Sequence, residues 1–148
     1  MRRIALLLAA SFAAIGLTAT PAGAAPTAPS QGSPGIAACS QGPRFTWAPT
    51  AYFNPGDCTQ TAGSMFIMQG DGNLVLYYSY GFTCATNTAG ANGAVAVFQD
   101  DGNLVIYYFG YPIWHSGTNG NYGARLIHRG DGTLLIRNAA GAEIWRLC

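Results

Sequence analysis

The chain has 148 residues, with seven arginines, no lysine and six acidic residues, so that only 9% of it is charged. A surface this neutral, with 20 glycines and eight tyrosines, is a poor match for nucleic acid and suits hydrogen-bonded recognition of neutral ligands. The length allows one domain with a single modest core and is too short for two.

Met1, Arg2 and Arg3 precede an apolar run over 4–17, and Ala22-Gly23-Ala24 follows as a small-residue cleavage site. This is the pattern of a secretory signal peptide over 1–24. The run meets Pro21 and Gly23 before it is long enough to span a bilayer, so no membrane insertion is expected. Ile36-Ala37-Ala38-Cys39 has the look of a lipoprotein signal, but Pro26, Pro29 and Pro34 separate it from the apolar core. Removal of 1–24 leaves five arginines against six acids and a net charge of −1. The expected destination is outside the cell.

Residues 25–43 are rich in Pro, Ser, Gly and Ala without periodicity and read as a flexible leader, with the folded domain expected over 44–148. Cys39, Cys58, Cys84 and Cys148 have no Cys-x-x-Cys spacing, and only two histidines accompany them, so disulfides are expected and a metal site is not. Four cysteines allow three pairings. The repeat described next mildly favours Cys58 with Cys84 and Cys39 with Cys148, and leaves the other pairings open.

From there the chain repeats itself. Asp71-Gly72-Asn73-Leu74, Asp101-Gly102-Asn103-Leu104 and Asp131-Gly132-Thr133-Leu134 recur at thirty-residue intervals, as do Gly63, Gly93 and Gly123. Each Asp-Gly sits between apolar runs: 65–68 and 74–78, 95–98 and 104–108, 126–127 and 134–136. That arrangement predicts three β-hairpins, because glycine tolerates the positive backbone angle of a tight turn. Trp114 and Trp145 trail the second and third hairpins, and Cys84 takes the corresponding place after the first. Both tryptophans are expected to fill a core. A lone hairpin is marginal in water, so three of them should pool their apolar faces around a pseudo-threefold axis. No segment after the signal has helical periodicity.

Within the first repeat Gln69, Asp71, Asn73, Val75 and Tyr77 occupy alternate positions, and Gln99, Asp101, Asn103, Val105 and Tyr107 do so in the second. On an extended segment alternate side chains share a face. A sugar hydroxyl both donates and accepts, so a row of carboxylate, amides and phenol matches a ring of hydroxyls. The charge-assisted bonds to Asp71 and Asp101 should dominate, at about 1.5–3 kcal/mol each against about 1 for neutral ones. A turn accounts for Asp-Gly but not for the recurrence of Gln, Val and Tyr. His115 and His128 lack any context for acid, base or nucleophile, so no catalysis and no cofactor are expected.

The motif Gln-x-Asp-x-Asn-x-Val-x-Tyr, repeated at about thirty residues with a trailing Trp, resembles that of the monocot bulb-type mannose-binding lectins over roughly 45–145. The resemblance implies an all-β fold of the β-prism II type, with three four-stranded antiparallel sheets in pseudo-threefold arrangement, and metal-free binding of mannose. It implies Asp71 and Asn73 on the axial 2-hydroxyl, Gln69 on the 3-hydroxyl and Tyr77 on the 4-hydroxyl. Asp101, Asn103, Gln99 and Tyr107 would do the same in a second site, and Val75 and Val105 would meet the sugar's C–H face. Multivalent mannose-containing glycans are the implied partners.

Three departures stand out. The third repeat reads Arg129, Asp131, Thr133, Leu135 and Arg137, which keeps only the Asp, so its mannose site should be lost. With Arg125 and Arg146 nearby in sequence, these arginines would suit an anionic group instead. The family's usual disulfide starts from a cysteine where this chain has Gly72, so its cross-links should differ. Family members often dimerise by exchanging the C-terminal strand, and here Cys148 would tie that strand down, which leaves a homodimer as one of the open states. Two other readings compete: a lectin-like antibacterial toxin, and a structural prism that keeps its hairpins for folding alone.

Overall fold

A computed structural model of the chain describes residues 39–148. The signal peptide expected at 1–24, and the expected leader as far as residue 38, lie outside the described residues. Thirteen strands and no helix are found among the described residues. The three hairpins pair β5 (Ser64–Met68) with β6 (Leu74–Tyr78), β8 (Val95–Phe98) with β9 (Leu104–Tyr108), and β11 (Arg125–His128) with β12 (Leu134–Arg137). Each gains a third strand from the chain that follows it: β7 (Thr83–Ala85), β10 (Tyr111–His115) and β13 (Glu143–Arg146).

The fourth strands all come from one stretch ahead of the first repeat. β2 (Phe45–Trp47) joins the third sheet, β3 (Ala51–Phe53) the second and β4 (Cys58–Gln60) the first. One N-terminal segment thus visits the three sheets in reverse order and ties them together. The expected count of four strands per sheet holds for the second and third sheets, whereas the first has five. Its extra strand, β1 (Ser40–Gln41), runs parallel to β4.

The reason for that strand is a cross-link. Cys39 is bonded to Cys58, 19 residues on, and Cys84 to Cys148, 64 residues on. The pairing favoured by the repeat, Cys58 with Cys84, is therefore incorrect. Repeat position told nothing of which cysteines approach in space, because Cys58 lies on β4, ahead of the first repeat, rather than in a hairpin. Since Cys39 is taken up by Cys58, its sulfur is not free to carry a lipid. β13 pairs with β12 of its own chain, and the bond from Cys148 to Cys84 anchors the adjoining end to the first sheet.

Alternation sends one row of each hairpin inward. Phe66, Met68, Leu74 and Leu76, then Phe98, Leu104 and Ile106, then Leu126, Leu134 and Ile136 are fully buried and form one cluster. Each such side chain contributes roughly 1.5–3 kcal/mol by leaving water. Cys84, Trp114 and Trp145 face Leu76, Ile106 and Ile136 across their sheets. The two indoles meet edge to face at 5.9 Å. The place that Met68 and Phe98 fill in the first two sheets belongs in the third to His128, also fully buried.

A buried imidazole must have both nitrogens satisfied. Ser64 Oγ donates to the Gly132 carbonyl at 2.8 Å, so at 2.7 Å from His128 Nε2 it accepts that N–H. Nδ1 is then the acceptor for the Thr59 hydroxyl at 2.9 Å. The ring is thereby held neutral, and burial lowers its pKa from 6.5 to about 4, the Asp131 carboxylate opposing only in part. Through this histidine the third sheet is joined to the first. The Ser–His contact is sealed from solvent and serves packing.

Candidate functional site

The two polar rows are built at the hairpin turns. In each, a Gln N–H donates to the carbonyl of the Asn four residues on, at 2.9 Å from Gln69 and 2.8 Å from Gln99. The Gly three residues after the Gln closes the turn by donating its N–H to the Gln carbonyl. That glycine, Gly72 or Gly102, has φ of 91° or 83°, the left-handed region in which a side chain is strained. Gln69, Asp71 and Asn73 therefore belong to the turn, while Val75 and Tyr77 belong to β6. The row is not one extended segment, as alternation alone suggested; the turn folds the Gln back over the strand.

Its amide lands on the tyrosine. Gln69 Nε2 donates to Tyr77 Oη at 2.7 Å, and Gln99 Nε2 to Tyr107 Oη at 2.6 Å. The Gln carbonyl oxygen and the phenolic proton remain for a ligand. Each bridge spans the intervening valine, and Val75 and Val105 are only 2% and 3% exposed. The valines are a floor rather than a wall. Asp71 and Asp101 accept the N–H of Asn73 and Asn103 on Oδ1, each at 3.0 Å, and keep Oδ2.

Asn73 and Asn103 are doubly employed. Asn103 Oδ1 accepts the Thr118 N–H at 3.1 Å and the Ser116 hydroxyl at 3.0 Å; Asn73 Oδ1 accepts the Thr88 N–H at 3.2 Å and the Thr86 hydroxyl at 3.3 Å. Thr88 and Thr118 in turn donate their hydroxyls to the Gly72 and Gly102 carbonyls, both at 2.7 Å. Folding thus gives a reason of its own for the recurrence of this Asn, which its sequence pattern did not reveal, and only the Nδ2 amino group is left for a ligand. The clamp residues were missed. Their trace in the sequence is the thirty-residue echo of Thr86-x-Thr88 in Ser116-x-Thr118.

The third turn repeats the backbone and changes the chemistry. Asp131 Oδ1 accepts both the amide and the hydroxyl of Thr133, at 3.0 and 2.7 Å, and Oδ2 pairs with Arg129 at 3.1 Å. Burial works against ionisation of Asp131, but the two bonds from Thr133 and the charges of Arg129 and Arg146 outweigh it and hold its pKa below the usual value. Both carboxylate oxygens are occupied. Leu135 is fully buried, and Arg137 takes the place of the tyrosine with its Nε buried and without a hydrogen bond. Of the other arginines, Arg146 grips Glu143 with two bonds of 2.8 and 3.0 Å, and Arg125 caps the Gly123 and Ala124 carbonyls. Among the described residues no group of three His, Cys, Asp or Glu could hold a metal.

The surroundings of the first two rows differ. Open grooves border the second row at Gln99, Asp101 and Tyr107. At the first, β4 brings Cys58 and its disulfide opposite Ile67, the neighbour of Val75.

No family model matches the sequence, and no curated protein matches it either. Solved structures do. A monomeric monocot mannose-binding lectin from Gastrodia elata is 31% identical with a TM-score of 0.62, over 72% of this chain and 96% of that one. The mannose-specific agglutinin of snowdrop, Galanthus nivalis, complexed with methyl-α-D-mannoside, is 33% identical with a TM-score of 0.58, over 66% and 91%. Polygonatum cyrtonema lectin complexed with a monomannoside is 31% identical with a TM-score of 0.57, over 66% and 90%.

Proposed function

The chain belongs to the family of monocot mannose-binding bulb lectins, with the β-prism II fold, and on that footing we propose that it is a secreted, non-catalytic lectin that binds mannose-type glycans through its first two turns. The observation that carries this is their duplicate geometry. In each, a carboxylate oxygen, an Asn amino group, a Gln carbonyl oxygen and a Tyr hydroxyl proton are left over after the fold's own hydrogen bonds are counted. Two acceptors and two donors side by side match vicinal hydroxyls, each of which must both give and receive a proton.

The assignments of Asp71 and Asn73 to the axial 2-hydroxyl, Gln69 to the 3-hydroxyl and Tyr77 to the 4-hydroxyl, with Asp101, Asn103, Gln99 and Tyr107 matching, follow the family resemblance. The third turn has no carboxylate oxygen to offer and is left out. Two disulfides suit an oxidising compartment outside the cell. A shallow polar row should hold one sugar at a Kd of ~1 mM, and two rows on one rigid body raise the apparent affinity for branched glycans by roughly 10² to 10⁴.

Retention on immobilised mannose, with elution by free mannose, tests this. Asp71→Ala and Asp101→Ala should each weaken retention, and the double variant should pass straight through. A double variant that unfolds at the wild-type temperature yet is retained as the wild type is would refute the assignment.

A further inference from the structure

The second row sits beside an aromatic ring that the first row lacks. Tyr52, on the edge strand β3, is 63% exposed. It faces Val97 in register, and Val97 faces Val105, the floor of the second row. The same register position holds Cys58 in the first sheet, opposite Ile67, and Thr46 in the third, opposite Ile127.

Tyr52 also lines two concavities beside the second row. One, of about 520 Å³, opens between Tyr52, Asn54, Val95, Gln99 and Tyr107. The other, of about 460 Å³, opens between Tyr52, Thr50, Asp101 and Tyr122. Gln99 and Val97 border both. Each volume falls in the range of small-ligand sites, ~300–1,000 Å³. A single hexose held on Gln99, Asp101, Asn103 and Tyr107 therefore leaves space beside it, walled by an aromatic face.

We propose that Tyr52 forms a second subsite, stacking on the sugar joined to the mannose residue held by the second row, so that this site reads an oligosaccharide while the first reads a single terminal sugar. The inference rests on the mannose-binding reading above. A pyranose ring presents C–H bonds on its faces and hydroxyls on its rim. A Tyr face buries the former, and Asn54, whose Nδ2 is held on Asp57 at 3.2 Å, has its carbonyl oxygen for the latter.

Isothermal titration of two single-site proteins tests it, with methyl α-mannoside and the α-linked mannobioses as probes. In Asp71→Ala, which keeps the second row, at least one mannobiose should bind about fivefold more tightly than the monosaccharide. In Asp101→Ala, which keeps the first, the ratio should be near one. Adding Tyr52→Ala to Asp71→Ala should collapse the ratio, and Tyr52→Phe should restore it. Equal binding of all probes by Asp71→Ala, or a ratio that survives Tyr52→Ala, overturns the subsite while the two-row reading stands. Methyl α-mannoside binding that persists in the Asp71→Ala, Asp101→Ala protein instead overturns the two-row reading, and the subsite with it.

Discussion

An asparagine offers one oxygen and one amino group, and in both polar rows the oxygen is held by the protein itself. Asn103 Oδ1 satisfies the N–H of Thr118, a residue 5% exposed, whereas Asp101 contributes only a turn bond to the amide of Asn103. The two neighbours should therefore respond differently to truncation. Asn103→Ala leaves a buried donor unpaired and should cost about 1–3 kcal/mol of stability along with the second site. Asp101→Ala should abolish that site at a cost below about 1 kcal/mol. Urea unfolding beside sugar titration separates them; equal stability losses would mean that the Asn clamp is not what holds the 116–118 segment. Gln, Asp and Tyr were legible as a polar row because their spacing recurs. The clamp was not, because its two halves lie 13 and 15 residues apart.

At the scale of the hairpin, an Asp-Gly step between apolar runs is enough to announce a turn. What the step does not announce is how tightly the turn is docked. Besides its φ of 91°, Gly72 packs so closely on the next connection that an added Cβ would run into the Ala91 carbonyl. Gly102 meets the Asn121 carbonyl, and Gly132 lies against Gly63. The turns thus dock cyclically, the first two on the connections that follow them and the third back on the first repeat. Gly72→Ala combines backbone strain with a backbone clash and should lower stability by more than about 1 kcal/mol. An unchanged thermal midpoint would show that the connection yields. That the third row departs from the other two was readable from its residue types, since Arg and Thr replace Gln and Asn. The manner of it, with Asp131 closed off by Thr133 and Arg129, needed coordinates.

For the whole molecule the ring of three sheets is closed by a neutral histidine. His128 has a pKa lowered to about 4 from 6.5, so between these values the unfolded chain binds a proton that the folded chain refuses. Its contribution is thus fully present above pH 6.5 and is lost as pH falls from 6.5 towards 4, by roughly 3 kcal/mol over the window. Unfolding free energies measured from about pH 7 to about pH 4 should fall accordingly, and His128→Gln should flatten the slope. Identical slopes for the two proteins would show that other groups govern the acid limb. Cys84–Cys148 supports the same closure by tying the end of the third sheet to the first across 64 residues.

Hairpins, core rows and polar rows were all written in local patterns: a thirty-residue period, alternation of apolar positions, and a turn residue chosen for its backbone angle. Such features depend on neighbours along the chain, and so survive in a one-dimensional reading. The cysteine pairing, the parallel strand β1, the delivery of one N-terminal strand to each sheet, the buried place of His128 and the position of Tyr52 beside the second row did not. Each is a contact between segments far apart in sequence. Their partners are chosen by which edges and faces meet when the three hairpins bury their apolar sides together.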